Sequence, residues 1–517
     1  MDVGPPCYRD TDSDELELVR SFRLRTTFPG DVLAETGALP DDPARAEFEG
    51  RLDLRKRRIF TIDGPDARDF DDAISIEPLA GGAVELGVHI ADVANYVRPG
   101  TALDEEALAR GTSVYLPDQV LPMLPEELSN GLCSLVEGRP RLAYSVLMTF
   151  DEAGERTGAR VAKTVIQSLK RNTYQAVQEL LDGADTQAAR ELEHLREDLE
   201  RFAVWTRRQQ AIRDAKGSLR IQSTEKKFVF DEAGEVEAIV DAPRYFSQTL
   251  IEETALAANQ AVGDLFRKRG LPTLYRVHPE KDPDEIAAVA ANLAKHGIRV
   301  PQKERLTGRD IGRMIRQARR KSNAEALIGR IMGLVERAVY EVKDHEDVAK
   351  HFGLAREAYL HFTSPIRRYP DLIVHRWLWA IEGEDAEAAE EDLRSEALIT
   401  DLNDMAAHCS IQAEVAEMTE YAVKDLKTCQ YMEPHIGEKL EAKVRRVSRG
   451  GIEVELTAFN VTGFLPMRAL GDRPKVDGST LTVRAGRRSL SFSEGHAIAV
   501  RVKDVDFLKL QVMLELP

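Results

Sequence analysis

Apolar and polar residues alternate through Phe60, Thr61 and Ile62, and again through Ala73, Ile74, Ser75 and Ile76, with Gly64 and Pro65 between the two runs. Side chains along a strand point to opposite faces in turn, so this period of two predicts a pair of short strands joined by a turn. Longer strand-like runs follow at Ala83–Ile90 and Leu142–Phe150. Helical periodicity places helices at Asp14–Phe22, around Asp41–Glu49, at Asp284–Lys295, at Ala324–Val342 and at Leu372–Ala380. Strands and helices in this mixed order predict an α+β domain over residues 51–432. Residues 1–50 read as a short, acidic, helical segment. After His435 the texture changes. KLEAKVRRVSRGGIEVEL alternates around Gly450 and Gly451, and AIAVRVKDVDFLKLQVMLEL ends the chain in two more alternating runs. Short strands with glycine turns over residues 433–517 predict a small β-barrel.

A length of 517 residues agrees with more than one domain. The chain is 43% hydrophobic, its mean hydropathy is −0.34, and no apolar run reaches membrane-span length. The N-terminal residues lack the basic and apolar regions of a signal peptide. Cys7, Cys133, Cys409 and Cys429 are scattered without a CxxC pair, which argues against zinc ribbons and disulfide scaffolds and for a reducing cytoplasm. The net charge of −17 does not exclude nucleic acid, because such binding needs a local basic surface rather than a basic total. The barrel segment Ile436–Pro517 holds 14 Lys+Arg against 10 Asp+Glu, a local +4. Much of the acid elsewhere lies in runs such as Glu382–Asp392 that read as a solvated helical face. Two further basic clusters are candidates for strand contact or for ordinary ion-paired helices: Arg207, Arg208, Arg213, Lys216 and Arg220, and then Arg309, Arg313, Arg316, Arg319, Arg320 and Lys321.

Candidate chemistry enters at TIDGPDARDFDDAISIE, which holds Asp63, Asp66, Asp69, Asp71 and Asp72 between the first two predicted strands. Two carboxylates 4 Å apart repel by about 4 kcal/mol at an effective dielectric near 20. A fold gathers several only around something positive. With no Cys or His beside them, the carboxylates suit a hard cation, Mg²⁺ or Mn²⁺. A solvated acidic turn is the alternative. The second stretch is AYLHFTSPIRRYPDLIVHR, Ala358–Arg376. Arg367 and Arg368 suit a phosphate clamp, since a guanidinium pairs with phosphate oxygens through two parallel hydrogen bonds. Capping the helix Leu372–Ala380, or an ion pair with Asp371, is the structural alternative. Together, an acidic metal site and an arginine clamp are the equipment of phosphoryl transfer.

These two blocks, with HIADVANYV, SVYLPDQVLPMLPEELSNGLCSL and LIEETALAANQAV, resemble in sequence and order the signature blocks of the RNase II / RNase R family of processive 3′→5′ exoribonucleases. The resemblance spans roughly residues 50–430. It implies a large mixed RNB catalytic domain followed by an S1-type OB-fold barrel, a monomer acting on single-stranded RNA, and release of 5′-mononucleotides. It places the metal site on Asp63, Asp69, Asp71 and Asp72, with Asp71 central to catalysis, and leaves Asp66 out. Arg367 becomes the catalytic phosphate contact, with Arg368 beside it. Tyr115 becomes the residue that stacks on a nucleotide near the 3′ end and sets the final product length. On the barrel, Arg445, Arg446, Phe459 and Phe464 are the expected RNA face, with a core position as the alternative for Phe464. The family's two N-terminal cold-shock OB-folds find no room in about fifty residues, since one such barrel takes about sixty. A second stacking aromatic is expected after a block like YRVH. Here YRVHPEKDP has no Phe, leaving Tyr275 or His278 as substitutes. Two other classes share parts of the pattern: a catalytically inactive RNA-binding regulator on the same fold, and a metal-dependent phosphoesterase for small molecules or DNA. The full aspartate set argues against the first and the barrel against the second.

Overall fold

The computed structural model describes residues 3–517 except 7, 9–11, 219–224, 280, 302–305, 322–323, 344–349, 352, 354–355, 478–479 and 486–487, so Cys7 and Arg220 lie outside the described residues. The two alternating runs form strands Thr61–Asp63 and Asp72–Pro78. The second is an edge of a five-stranded sheet whose order is Leu52–Asp53, Arg156–Gln167, Pro140–Phe150, Val84–Ala91, Asp72–Pro78. Pairing is antiparallel except at the Leu52–Asp53 edge. The strand Pro140–Phe150 is buried on both faces over most of its length, which is why its sequence is mainly apolar, broken only by Arg141, Ser145 and Thr149, and does not alternate strictly. Within the sheet, His89 is fully buried between the hydroxyls of Ser75 and Ser145, at 3.0 and 2.7 Å. Burial pushes it down to about 3, so it stays neutral. His89–Ala91 of the HIADVANYV block thus belong to the sheet, and Val93–Asn95 form a 3₁₀ turn after it.

The helices Arg196–Lys216 and Phe246–Arg269 pack on this sheet, with Phe202 edge-on to Phe60 and Trp205 edge-on to Phe150. Gly263 lets the second helix touch the chain that leads into the arginine block, because a Cβ there would lie 1.9 Å from the Ala358 carbonyl oxygen. Beside it, Asn259 accepts from the Phe362 N–H and donates to the Tyr359 hydroxyl, both at 2.9 Å. The LIEETALAANQAV block thus works as a bracket for the arginine segment.

Expected helices stand at Ser13–Ser21, Pro283–Lys295 and Tyr369–Ile381. Two expectations are corrected. Ala324–Val342 is a helix only over Ala324–Met332. Val339–Lys343 is a strand paired with Thr273–Val277, because the β-branched and aromatic residues Val339, Tyr340 and Val342 fit a sheet once Gly333 has broken the helix. Around Asp41–Glu49 there is a single 3₁₀ turn, Arg45–Phe48, where Pro40 and Pro43 deny a longer helix its backbone donors. The first fifty residues also hold a strand pair, Val3–Pro6 with Thr27–Pro29, and a helix, Gly30–Gly37.

The chain ends in a closed five-stranded barrel, in the order Lys439–Val447, Gly451–Leu456, Val461–Pro466, Gln511–Glu515, Ala497–Asp506. This is the small barrel the alternation predicts, with an extra three-stranded sheet over Asp472–Ser493. Packing crosses the sequence boundary. The hairpin Lys226–Phe230 / Val236–Asp241 places Phe228 and Ile239 in the same apolar cluster as the barrel core, together with Cys429 and Met432 of the long helix Glu396–Met432. Lys226 donates to the Asn460 carbonyl, and Asn460 donates to Asp241 at 2.8 Å.

Candidate active site

Strand Thr61–Asp63 pairs in parallel with Arg171–Thr173 and delivers Asp63 at its end. The loop that follows is pinned from below. Arg171 Nη2 donates to the carbonyls of Gly64, Pro65 and Ala67, at 3.2, 2.5 and 3.2 Å. Ser134 Oγ accepts from the Phe70 N–H and donates to the Arg68 carbonyl. Neither residue stands out in the sequence, because pinning a loop through its carbonyls leaves no motif. Asp72 then opens the next strand.

The arginine block arrives from the other side. Ser364 accepts from the N–H groups of Arg367 and Arg368 in a tight turn, and that turn aims the Ile366 N–H at Asp71 Oδ1, 2.8 Å away. Arg367 follows, its Nε 3.5 Å from Asp71 Oδ2 and its Nη2 donating to Ser364 Oγ at 3.0 Å. The Arg367 side chain is 42% exposed, so most of its donors remain open to a ligand. Pro370 and Asp371 occupy the first turn of the helix Tyr369–Ile381, where a missing N–H costs nothing and a carboxylate is favoured.

Tyr115 sits on a two-strand hairpin, Val114–Tyr115 with Val120–Leu121. Its hydroxyl donates to Asp69 Oδ2 at 2.9 Å while the residue stays 38% exposed, so it is not a core tyrosine. The Ser113 N–H donates to the Arg367 carbonyl at 2.9 Å and stitches this hairpin to the arginine turn. From the N-terminal helix, Glu15 accepts from Gln119 at 3.2 Å and from Lys427 at 2.8 Å, bracing the hairpin against the long helix.

The carboxylates resist their own charge. Burial, then Asp72 and Asp69, pushes Asp63 up to about 8. Burial raises Asp72 to about 6 and lifts Asp71 well above the carboxylate range, against the pull of Arg367. Asp63 Oδ2 is buried without a hydrogen-bond partner. Among the described residues no three carboxylates converge tightly enough to cage an ion by themselves. Yet crowded, buried and partly unpartnered oxygens are the donor set that a hard divalent cation satisfies. The structure therefore brings Asp63, Asp69, Asp71, Asp72, Tyr115 and Arg367 together. It also places Tyr174 there, a residue the sequence does not single out. Burial first, then Asp63 and Asp72, raises its phenol.

Other candidates move. Arg368 makes a bidentate pair with Asp371, both bonds 2.8 Å, and Asp371 is fully buried. This arginine makes the ion pair of the structural alternative, in contrast to Arg367. Tyr275 is 3% exposed on the strand Thr273–Val277 and is core, not a stacking platform. His278 is half-buried against the Glu336 carbonyl at 2.8 Å. On the barrel, Val461, Gly463 and Leu465 point inward, which sends Phe464 outward beside Glu453. Arg445 and Arg446 share that outer surface but are paired with Glu455 and Glu453. Phe459 instead packs on Tyr431 and His435 at the joint with the long helix, so it leaves the expected RNA face.

An acidic cluster faced by an open arginine, coupled to an OB barrel, defines a phosphodiester-cleaving domain joined to a nucleic-acid-binding one. The comparisons agree. The RNB domain model matches residues 51–384, and the S1 RNA binding domain model matches residues 433–509. Ribonuclease R of Thermotoga maritima is 37% identical over 489 residues, 94% of this chain and 67% of that one. Ribonuclease R of Escherichia coli is 32% identical over 495 residues, 94% of this chain and 60% of that one. The chain thus spans roughly two thirds of the length of these relatives. The apo form of Mycoplasma genitalium RNase R superposes with a TM-score of 0.83 at 23% identity, over 98% of this chain and 78% of that one. Yeast Ssd1, a pseudonuclease, superposes at 0.68 with 18% identity, over 92% of this chain and 59% of that one. The chain belongs to the RNase R / RNase II family of RNB-domain 3′→5′ exoribonucleases.

Proposed function

We propose that this protein processively hydrolyses single-stranded RNA from its 3′ end to 5′-mononucleotides, as a cytoplasmic monomer using Mg²⁺ or Mn²⁺. The supporting observation is the crowded aspartate cluster facing the open Arg367, in which Asp63, Asp71 and Asp72 are held above the ordinary carboxylate range by desolvation. Asp63, Asp69, Asp71 and Asp72 would hold the cation. When bound, a divalent cation polarises the scissile phosphate and eases deprotonation of the attacking water. The side chains do the rest. Arg367 places donors at the phosphate oxygens on which charge grows. Asp71, tied to the Ile366 N–H, keeps that arginine and the carboxylates in fixed register. Tyr115 offers its exposed ring to a base at the 3′ end. Fold alone does not decide activity, since Ssd1 shares the fold and is a pseudonuclease. Retention of all four aspartates favours the enzyme.

Labelled RNA and DNA oligomers, incubated with and without EDTA, test the reading. RNA should fall to mononucleotides and short end products, EDTA should stop it, and DNA should persist. A late excess of unlabelled RNA should not strand half-degraded chains. Equal cutting of DNA, or cutting in EDTA, would overturn it, and RNA bound but never cut would favour the inactive regulator.

Tyr115→Ala should lengthen the shortest product without stopping degradation, because one base-stacking platform is worth about 1–3 kcal/mol. Tyr115→Phe, which keeps the ring and loses the bond to Asp69, should leave product length unchanged. Sequencing gels of end products read both.

Phe464→Ala should weaken affinity for long RNA while short oligomers are still cut. Arg446→Gln should lower the salt slope by about 0.7, the share of one single-strand phosphate contact. An unchanged slope would mean that Arg446 keeps its glutamate partner in the complex.

A further inference from the structure

A cavity of about 610 Å³ lies away from the aspartates, between the last turn of the helix Arg196–Lys216, the helix Phe246–Arg269, the turn after Phe150, and the residues Arg309 and Arg356. Asp72 pairs with Ile90, which pairs in turn with Tyr144, whereas Phe150, at the cavity, pairs with Val84 and Arg156. Six residues of strand, about 20 Å, separate the two places.

Six cations line the cavity: Arg156, Arg213, Lys216, Arg267, Arg309 and Arg356. Three are already committed. Arg156 and Arg267 share Asp264, at 2.5 and 2.9 Å, and Arg213 pairs with the buried Glu253 at 2.6 Å. The other three make no salt bridge among the described residues, although the buried Glu253 lies near enough to Arg356 to act on its charge. Among the described residues, Arg309 donates only to the Ala215 carbonyl. It is pressed onto the end of the neighbouring helix, because Gly217 has no Cβ; one there would lie 2.2 Å from Arg309 Cγ. Lys216 is exposed beside it. Arg356 buries its Nε without any acceptor. Burial first, with the neighbouring charges of Arg213 and Arg156, disfavours its protonated form and outweighs the opposite pull of Tyr359 and Glu253. A guanidinium nitrogen taken out of water without an acceptor is costly, and like charges beside it add to that cost. An anion entering the cavity reverses both effects.

We propose that this cavity is a second, non-catalytic site that binds an oligophosphate: two or more phosphates in a row, held by Arg356, Arg309 and Lys216. Guanidiniums pair bidentately with phosphate oxygens, and the two arginines and the lysine approach from three separate elements, which suits a chain of phosphates better than a single one. The volume falls within the range of small-molecule sites and leaves room for a nucleoside on the chain. The phosphates can come from a free nucleoside polyphosphate or from consecutive positions of an RNA strand.

The test is calorimetric titration of the full chain in EDTA, with tripolyphosphate and with ATP. Anisotropy of a labelled single-stranded RNA of twenty nucleotides forms a separate arm. One site should appear for tripolyphosphate. Arg356→Gln and Arg309→Gln should each weaken it at least tenfold and Lys216→Gln about threefold, while Arg367→Ala leaves it intact. Turnover of short RNA should be unchanged in all three cavity variants. If the small ligands give no heat but the cavity variants lose RNA affinity, the site stands and RNA is the source of its phosphates. No heat together with unchanged RNA affinity overturns the proposal, as does binding that disappears with Arg367→Ala. Should Arg356→Gln fail to fold, the exposed Arg309 and Lys216 variants decide the matter alone.

Discussion

Asp71→Asn should give a protein that binds RNA nearly as tightly as the wild type and cleaves it at less than a hundredth of the normal rate. The substitution is close to isosteric. Asparagine can still accept from the Ile366 N–H, so the arginine turn stays where it is. What it loses is the charge. It also sets an amide donor toward Arg367 Nε, at a place where the carboxylate oxygen now lies 3.5 Å away. Two donors facing each other push the guanidinium off its line, and the cation site loses one of its four anions. Removing a single electrostatic contact to a developing oxyanion costs about 2.7–4 kcal/mol, and here two are disturbed together. Single-turnover rates at saturating Mg²⁺, measured beside RNA affinity, check it. A variant with wild-type turnover would remove Asp71 from the reaction.

The adjacent arginines should part company when each is cut to alanine. Arg367→Ala should lower the rate a hundredfold or more and leave thermal stability nearly unchanged, because the side chain is 42% exposed and its carboxylate contact is long. Arg368→Ala should do the reverse. It strips both guanidinium bonds from Asp371, which is fully buried and keeps only the Ser364 N–H. Breaking a buried pair from one side costs about 3–5 kcal/mol. The expected result is a marked drop in melting temperature, with a rate loss that follows from a loosened turn. Equal, small rate losses at both positions would assign Arg367 a structural role as well.

The sequence made different parts of this molecule legible to different degrees. Asp63, Asp69, Asp71, Asp72 and Arg367 lie in two short blocks, and both blocks carry their meaning in residue type and spacing. Folding had only to bring them together across nearly three hundred residues. Residue type alone does not separate Arg368 from Arg367, and only the family resemblance singles out Arg367; which guanidinium turns inward depends on where the buried Asp371 falls on its helix. Arg171 and Ser134 hold the aspartate loop through backbone carbonyls and N–H groups, which any sequence offers. Phe459 and Phe464 look alike on paper. A strand's alternation turns one outward, and a packing joint claims the other. The segment after Gly333 satisfied two periodicities at once, and only its partner strand Thr273–Val277 decided between them.

The apolar seal around Phe228, Ile239, Cys429 and Met432 has a consequence for how this chain can be divided. In sequence, position 432 looks like a seam. In the molecule, the terminal barrel has been lent two strands from the middle of the other domain. A truncation at that seam would strand a greasy hairpin in water, and a barrel grafted from a relative would meet a hairpin shaped for someone else. Any chimera that exchanges the barrel should therefore carry residues 226–241 along with it.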